Sequence, residues 1–203
     1  HGGGWIEGDK SQYVALLPQF ARQKIMAASM NYRLAPEVTW KEQVDDVLLA
    51  LDFLRAQQVD TQRIALWATS AGAHLALLVA ARRPEQIRCI VTIGAATHPP
   101  TLDVDLTREA FPDVHDQLCN PYIQCLNLPK TLMLHGELDP VISISQHTQF
   151  CQARTNVESW VLKDGDHHLR WPIVSGWRMR QRAFNWLIQE MDIPKVGSKW
   201  RRR

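Results

Sequence analysis

The sequence predicts an α/β fold: a mostly parallel sheet with helices on both faces. Short apolar runs bounded by turn residues alternate with longer segments whose apolar residues recur at helical spacing. The 203 residues are 45% hydrophobic and 22% charged, enough for one globular domain and unlike a disordered, collagen-like or coiled-coil chain.

Taken in order, Ser11 to about Gln23 reads as a helix with Tyr13, Leu16, Leu17 and Phe20 on one face and Ser11 as its cap. Residues 24–32 read as a strand, and Pro36 ends regular structure soon after. Thr39 to about Gln57 is amphipathic, with Val44, Val47, Leu48, Leu51 and Leu54 at helical spacing. Residues 63–68 form a short buried strand, and a helix opens directly after Ser70 and runs to about Arg82. Strands follow at 87–94 and 130–135, a helix at 143–154, a strand at 157–162, and a helix from about Ile173 to Met191. Residues 95–127, rich in Pro, Asp and polar turns, are too long for a simple connection. They are expected to form a small cap-like excursion over the carboxyl edge of the sheet.

The net charge of +2 is uneven. Lys195, Lys199 and Arg201 to Arg203 form a basic tail at 195–203, leaving residues 1–194 at about −3. A basic tip on such a body argues against a nucleic-acid partner. No run of 18 apolar residues occurs, so stable membrane insertion is not expected. The four cysteines make no disulfide framework and no C-x-x-C pair, and no H-E-x-x-H occurs among the histidines; free thiols and no metal are expected. The chain opens at His1 on a glycine-rich turn that would normally follow a strand, so it reads as a fragment whose N-terminal part, with any targeting signal, is missing. Cytoplasmic residence is the default expectation.

Two segments carry chemistry. Leu66 to His74 reads as strand, tight turn and helix with Ser70 at the apex, a nucleophile elbow in which Ala68 stands for the usual first glycine. Small neighbours suit such a strained turn, and the helix N-terminus with the Ala71 amide suits developing negative charge. The opening His1-Gly2-Gly3-Gly4-Trp5 can turn backbone N–H groups toward a ligand without Cβ interference. Downstream, Glu137 and Asp139 follow a strand at its carboxyl end, and His167 and His168 lie between the last strand and the last helix.

His1 to Trp5, then Asn31-Tyr32-Arg33-Leu34-Ala35-Pro36-Glu37, then Thr69-Ser70-Ala71-Gly72 closely resemble the α/β-hydrolase esterases of the hormone-sensitive-lipase-like group. Kynurenine formamidases and small carbohydrate-ester esterases lie in the same circle. The resemblance implies an α/β-hydrolase domain over 1–194 acting on a small-molecule carboxylic ester through an acyl-enzyme, without a cofactor; formamide hydrolysis or small-molecule binding without catalysis are the alternatives. It places the acid at Asp139, with Glu137 as competitor, and the base at His167, with His168 as competitor. It maps the oxyanion donors to Gly3, Gly4 and Ala71, and gives Arg33 and Glu37 a bracing role near the loop. His74 is expected to be packed on the helix after Ser70, His135 to line the pocket floor, and His98, His115 and His147 to lie at the surface or cap helices. The resemblance also implies that a strand precedes His1, with the N-terminal strands missing. Residues 24–32 would then face a gap beside 63–68 or pair with it directly, and the isolated chain would be poorly soluble or inactive.

Overall fold

The computed structural model describes residues 1–99, 102, 107–113 and 115–193. The expected basic tail at 195–203 and parts of the 95–127 excursion lie outside the described residues. Four strands form one parallel sheet in the order β1 (Ala65–Thr69), β2 (Cys89–Ile93), β3 (Lys130–Gly136) and β4 (Val157–Leu162). Their register sets Ala68 beside Thr92, Thr92 beside Met133, and Met133 beside Ser159. Each lies within two residues of the apolar run that predicts it.

The helices are α1 (Leu17–Arg22), α2 (Trp40–Arg55), α3 (Ala71–Arg82), α4 (Pro121–Gln124), α5 (Ile144–Gln152) and α6 (Ile173–Glu190). Side chains alternate across a strand, so each strand feeds two cores. Ile90 and Met133 join Leu77 of α3, Val44 of α2 and Phe150 of α5 on one face. Val91, Leu132 and Leu134 join Phe20 of α1 and Phe184 and Leu187 of α6 on the other. Right-handed crossovers between neighbouring parallel strands put their helices on one face, as α3 and α5 are. The described parts of 95–127 pack on that face too: Phe111 lies against Trp5, Trp40 and His74, and Cys125 Sγ donates to Leu77 O. Among the described residues no helix is long and apolar enough to cross a membrane.

Two expectations fail. The helix expected from Ser11 is interrupted: a 3₁₀ turn (Lys10–Tyr13) comes first, capped by Asp9 rather than by Ser11, and α1 starts only at Leu17. Pro18 explains the break, because a helix running through it would lose an N–H and clash with the turn before. Residues 24–32 form no strand. They keep the alternation that predicts one, with Ile25 and Ala27 packed near Phe20 and Trp67 while Met26 is 66% exposed. Neither they nor any other described segment pairs with the outer edge of β1, which bonds to β2 alone. An extended segment becomes a strand only when a neighbour answers its donors and acceptors.

All four cysteines are free thiols, and burial pushes Cys89 and Cys125 up to about 12 and Cys119 and Cys151 up to about 11. α2 opens with a capping box: Glu42 accepts from Thr39 N at 2.9 Å, and Thr39 Oγ1 accepts from Lys41 N at 3.4 Å. Thr39→Ala is expected to cost about 1 kcal/mol, read as a lower urea midpoint, with Thr39→Ser close to the parent chain.

Candidate active site

Ser70, Asp139 and His167 lie on the turns after β1, β3 and β4, at the carboxyl edge where an open parallel sheet leaves a crevice. Ser70 sits between β1 and α3 with φ 54° and ψ −123°, a left-handed φ that costs a non-glycine residue about 1–3 kcal/mol. Its backbone is held from both sides. Its N–H donates to Ile93 O at 2.8 Å, and its carbonyl accepts from the Ala73 and His74 amides of α3.

The acid-bearing and histidine-bearing turns are zipped together. Glu137 N donates to Leu162 O and Leu138 N to Gly165 O, both at 2.9 Å, while the Glu137 carboxylate accepts from Asp164 N at 3.1 Å. The side chain of Asp139 is fully buried. Its Oδ1 accepts from the Val141 and Ile142 amides at 2.8 and 2.9 Å, and its Oδ2 accepts from His167 Nδ1 at 2.6 Å. His167 Nε2 lies 2.9 Å from Ser70 Oγ. A carboxylate can only accept, so Nδ1 carries the ring proton and Nε2 receives the Ser70 hydroxyl proton. Burial pushes the Asp139 carboxyl up, but the bonds from His167 and the two amides outweigh it and hold it below the usual range.

The competitors sit elsewhere. His168 stacks obliquely on His167, with ring centroids 4.8 Å apart, and bonds to neither Ser70 nor Asp139. Glu137 fastens the histidine turn through Asp164 instead of facing the imidazole.

The glycine turn closes the site from the other side. Gly3 has φ 128°, and a Cβ there would fall 2.0 Å from Glu7 O, so no other residue fits. Gly3 O accepts from the Ile6 and Glu7 amides, and the Gly2 amide donates to Gln12 Oε1 at 2.8 Å. Among the described residues, the amides of Gly3, Gly4 and Ala71 donate to no protein acceptor. The turn lies against α3 so closely that a Cβ on Gly72 would meet His1 O at 2.3 Å.

The BD-FAE family model matches residues 1–106, more than half of the chain. The chain belongs to the BD-FAE family. Arylacetamide deacetylase of Oryctolagus cuniculus is 35% identical over 119 residues, covering 52% of this chain and 30% of that protein. Esterase LipC of Mycobacterium tuberculosis is 27% identical over 184 residues, covering 74% of this chain and 46% of that protein. The chain thus spans less than half the length of these relatives. A crystal structure of an esterase from the bacterial hormone-sensitive lipase family superposes with a TM-score of 0.83 at 19% identity, over 94% of this chain and 75% of that one. That likeness shows the α/β-hydrolase fold. The span matched to the BD-FAE family holds the glycine turn and Ser70 and ends before Asp139 and His167.

Several supports of this family member escape sequence reading. Gln43 of α2 donates to Trp5 O at 2.8 Å, and Ala35 N reaches the same carbonyl at 3.0 Å. These two brace the glycine turn, a role the resemblance gave to Arg33 and Glu37. Arg33 instead pairs with Asp46 at the surface, tying its own turn to α2, and Glu37 is exposed. The signal for Gln43 was a polar residue inside the stripe of Trp40, Val44 and Val47. His74 is buried as expected: its Nδ1 accepts from Trp5 Nε1 at 3.2 Å and its Nε2 donates to Cys119 O at 2.7 Å. His147, expected at the surface or capping a helix, is fully buried, its Nε2 2.7 Å from Ser159 Oγ. The missed cue was its helical spacing to Phe150 and Cys151.

Two outcomes follow from the packing. Gly94 has φ 57°, and a Cβ there would lie 2.9 Å from His167 Cε1 and Nδ1. Gly94→Ala is expected to lengthen the Ser70–His167 contact by on the order of 0.5 Å, measurable in a crystal structure of the variant. Burial lowers His74 from 6.5 to about 4. Above pH 6.5 the imidazole is neutral folded or unfolded; between 6.5 and 4 only the unfolded chain takes up the proton. His74 therefore contributes a stability loss of about 3 kcal/mol across that window, read as the part of the urea-midpoint difference between pH 7 and pH 4.5 that disappears in His74→Gln.

Proposed function

We propose that the chain is the hydrolytic part of an esterase that transfers the acyl group of a small carboxylic ester to Ser70. The observation that carries this reading is the continuous bonding from Ser70 Oγ through His167 to the buried Asp139 carboxylate, at 2.9 and 2.6 Å. In the proposed mechanism Ser70 Oγ attacks the ester carbonyl carbon while its proton passes to His167 Nε2. Asp139 holds the imidazole tautomer and stabilises the imidazolium. The unpartnered amides of Gly3, Gly4 and Ala71 are the donors for the tetrahedral oxyanion, a contribution on the order of several kcal/mol in comparable sites. His167 then returns the proton to the leaving alkoxide, freeing the alcohol. Water, deprotonated by the same imidazole, cleaves the acyl-enzyme to release the acid.

The limited length of 95–127 supports a short acyl chain. Aryl amides are a second substrate class, favoured by the likeness to arylacetamide deacetylase. The same Ser70 would serve both, and the ratio of p-nitrophenyl acetate to p-nitroacetanilide turnover separates them.

Made in the full-length protein, Ser70→Ala is expected to lower kcat on p-nitrophenyl acetate by ~10⁴-fold or more while leaving the unfolding midpoint unchanged. A covalent serine reagent should label the parent chain once and the variant not at all. Ester turnover in the variant within tenfold of the parent would refute the assignment.

A further inference from the structure

We infer that His135 is a positioning residue for Asp139: a buried donor that holds the acid-bearing turn through the Ile142 carbonyl, with its ring against the carboxylate. The inference rests on the triad reading above. His135 is the penultimate residue of β3 and is fully buried. Its Nε2 lies 2.8 Å from Ile142 O and 3.2 Å from Asp139 Oδ2. A carbonyl only accepts, so Nε2 carries the proton and donates it to Ile142 O, while Asp139 Oδ2 stands beside it at ion-pair distance. Nδ1 is then bare, and among the described residues it has no partner.

The placement matters because Ile142 is itself a partner of Asp139, donating its amide to Oδ1. One imidazole therefore holds the carbonyl of the residue whose amide grips the carboxylate, and its ring lies against the far oxygen. The turn cannot open, nor Asp139 rotate, without leaving a buried polar group unpaired. Oδ2 stays aimed at His167 Nδ1.

Three titratable side chains face the His135 ring: Asp139, His167 from the turn after β4, and His147 from α5, whose ring centroid is 5.0 Å away. Burial outweighs the pull of Asp139 and lowers His135, and it lowers His147 to about 3, so neither is a cation near neutrality. This neutrality is functional. A charged His135, 3.2 Å from Oδ2, would compete with the imidazolium of His167 for that oxygen, whereas a neutral ring leaves its charge available.

The test compares His135→Leu, which removes the donor, with His135→Gln, whose amide N–H can reach the Nε2 position. kcat and KM on p-nitrophenyl acetate are measured from pH 5 to 9, with Ser70→Ala as control. The Leu variant is expected to lose about tenfold in kcat with KM within about threefold. With Ile142 released, Asp139 is held less well against His167 and stabilises the imidazolium less, so the acid-side midpoint of kcat/KM should fall by about 0.5 pH unit. The Gln variant should recover most of both. An unchanged kcat and midpoint in the Leu variant, or a Gln variant no better than Leu, overturns the inference. Independently of how the variants fold, ¹⁵N spectra of the parent chain should show His135 protonated on Nε2 and bare on Nδ1 from pH 7 to 8. The opposite tautomer, or titration within that range, overturns it as well. If Ser70→Ala keeps parental turnover, the triad reading fails and this inference with it. If Ser70→Ala is inactive while His135→Leu is unaffected, only the positioning role fails.

Discussion

One buried carboxylate organises the carboxyl edge of this sheet. Asp139 has no access to water, and an ion in that position is tolerable only when its lone pairs are answered by donors. Two come from the turn that carries it, through the Val141 and Ile142 amides, and one from the neighbouring turn, through His167. The demand for donors shapes both loops. It bends residues 139–142 into a tight return and draws the segment after β4 close enough for backbone bonds between the two. The pairing of β3 with β4, from Thr131 beside Val157 to Gly136 beside Leu162, delivers the two turns side by side.

The serine side of the site rests on a different principle. Ser70 is held at an unfavourable backbone angle by a bond to β2 and by the first turn of α3, so its strain is balanced by packing that must form anyway. Against that helix lies the glycine turn, whose own bonds run to Gln12, Ala35 and Gln43 and bypass Gly3 N and Gly4 N. The free amides are left over because everything around them is already satisfied. In the proposed mechanism, pre-organisation is a matter of which donors the fold leaves unused.

Much of this is legible in the sequence, and the parts that are not share a cause. Buried strands such as 130–136 announce themselves because both faces are apolar, and α2 does so through its stripe and its Thr39–Glu42 cap. Ser70 is visible because a strand, a serine among small residues and an apolar helix occur together. Choosing between His167 and His168 from sequence relies on likeness alone, since adjacent residues differ in which way they point, and only the folded chain brings His167 Nε2 beside Ser70 Oγ. Residues 24–32 mislead for a related reason: alternation describes one segment, while a strand is a relation between two. Gln43 and His147 are hidden because a polar side chain in a core is explained only by its distant partner, Trp5 O in one case and Ser159 in the other.

The buried thiols give the chain a chemical quietness. With Cys89 and Cys125 pushed up to about 12, the thiolate that oxidants and alkylating agents attack is scarce at neutral pH. The sulfurs act as small apolar fillers, Cys89 against β1 and β3 and Cys125 beneath α3. The domain draws no cohesion from covalent cross-links, so a change in redox poise leaves its stability where the packing of two cores around one sheet has set it.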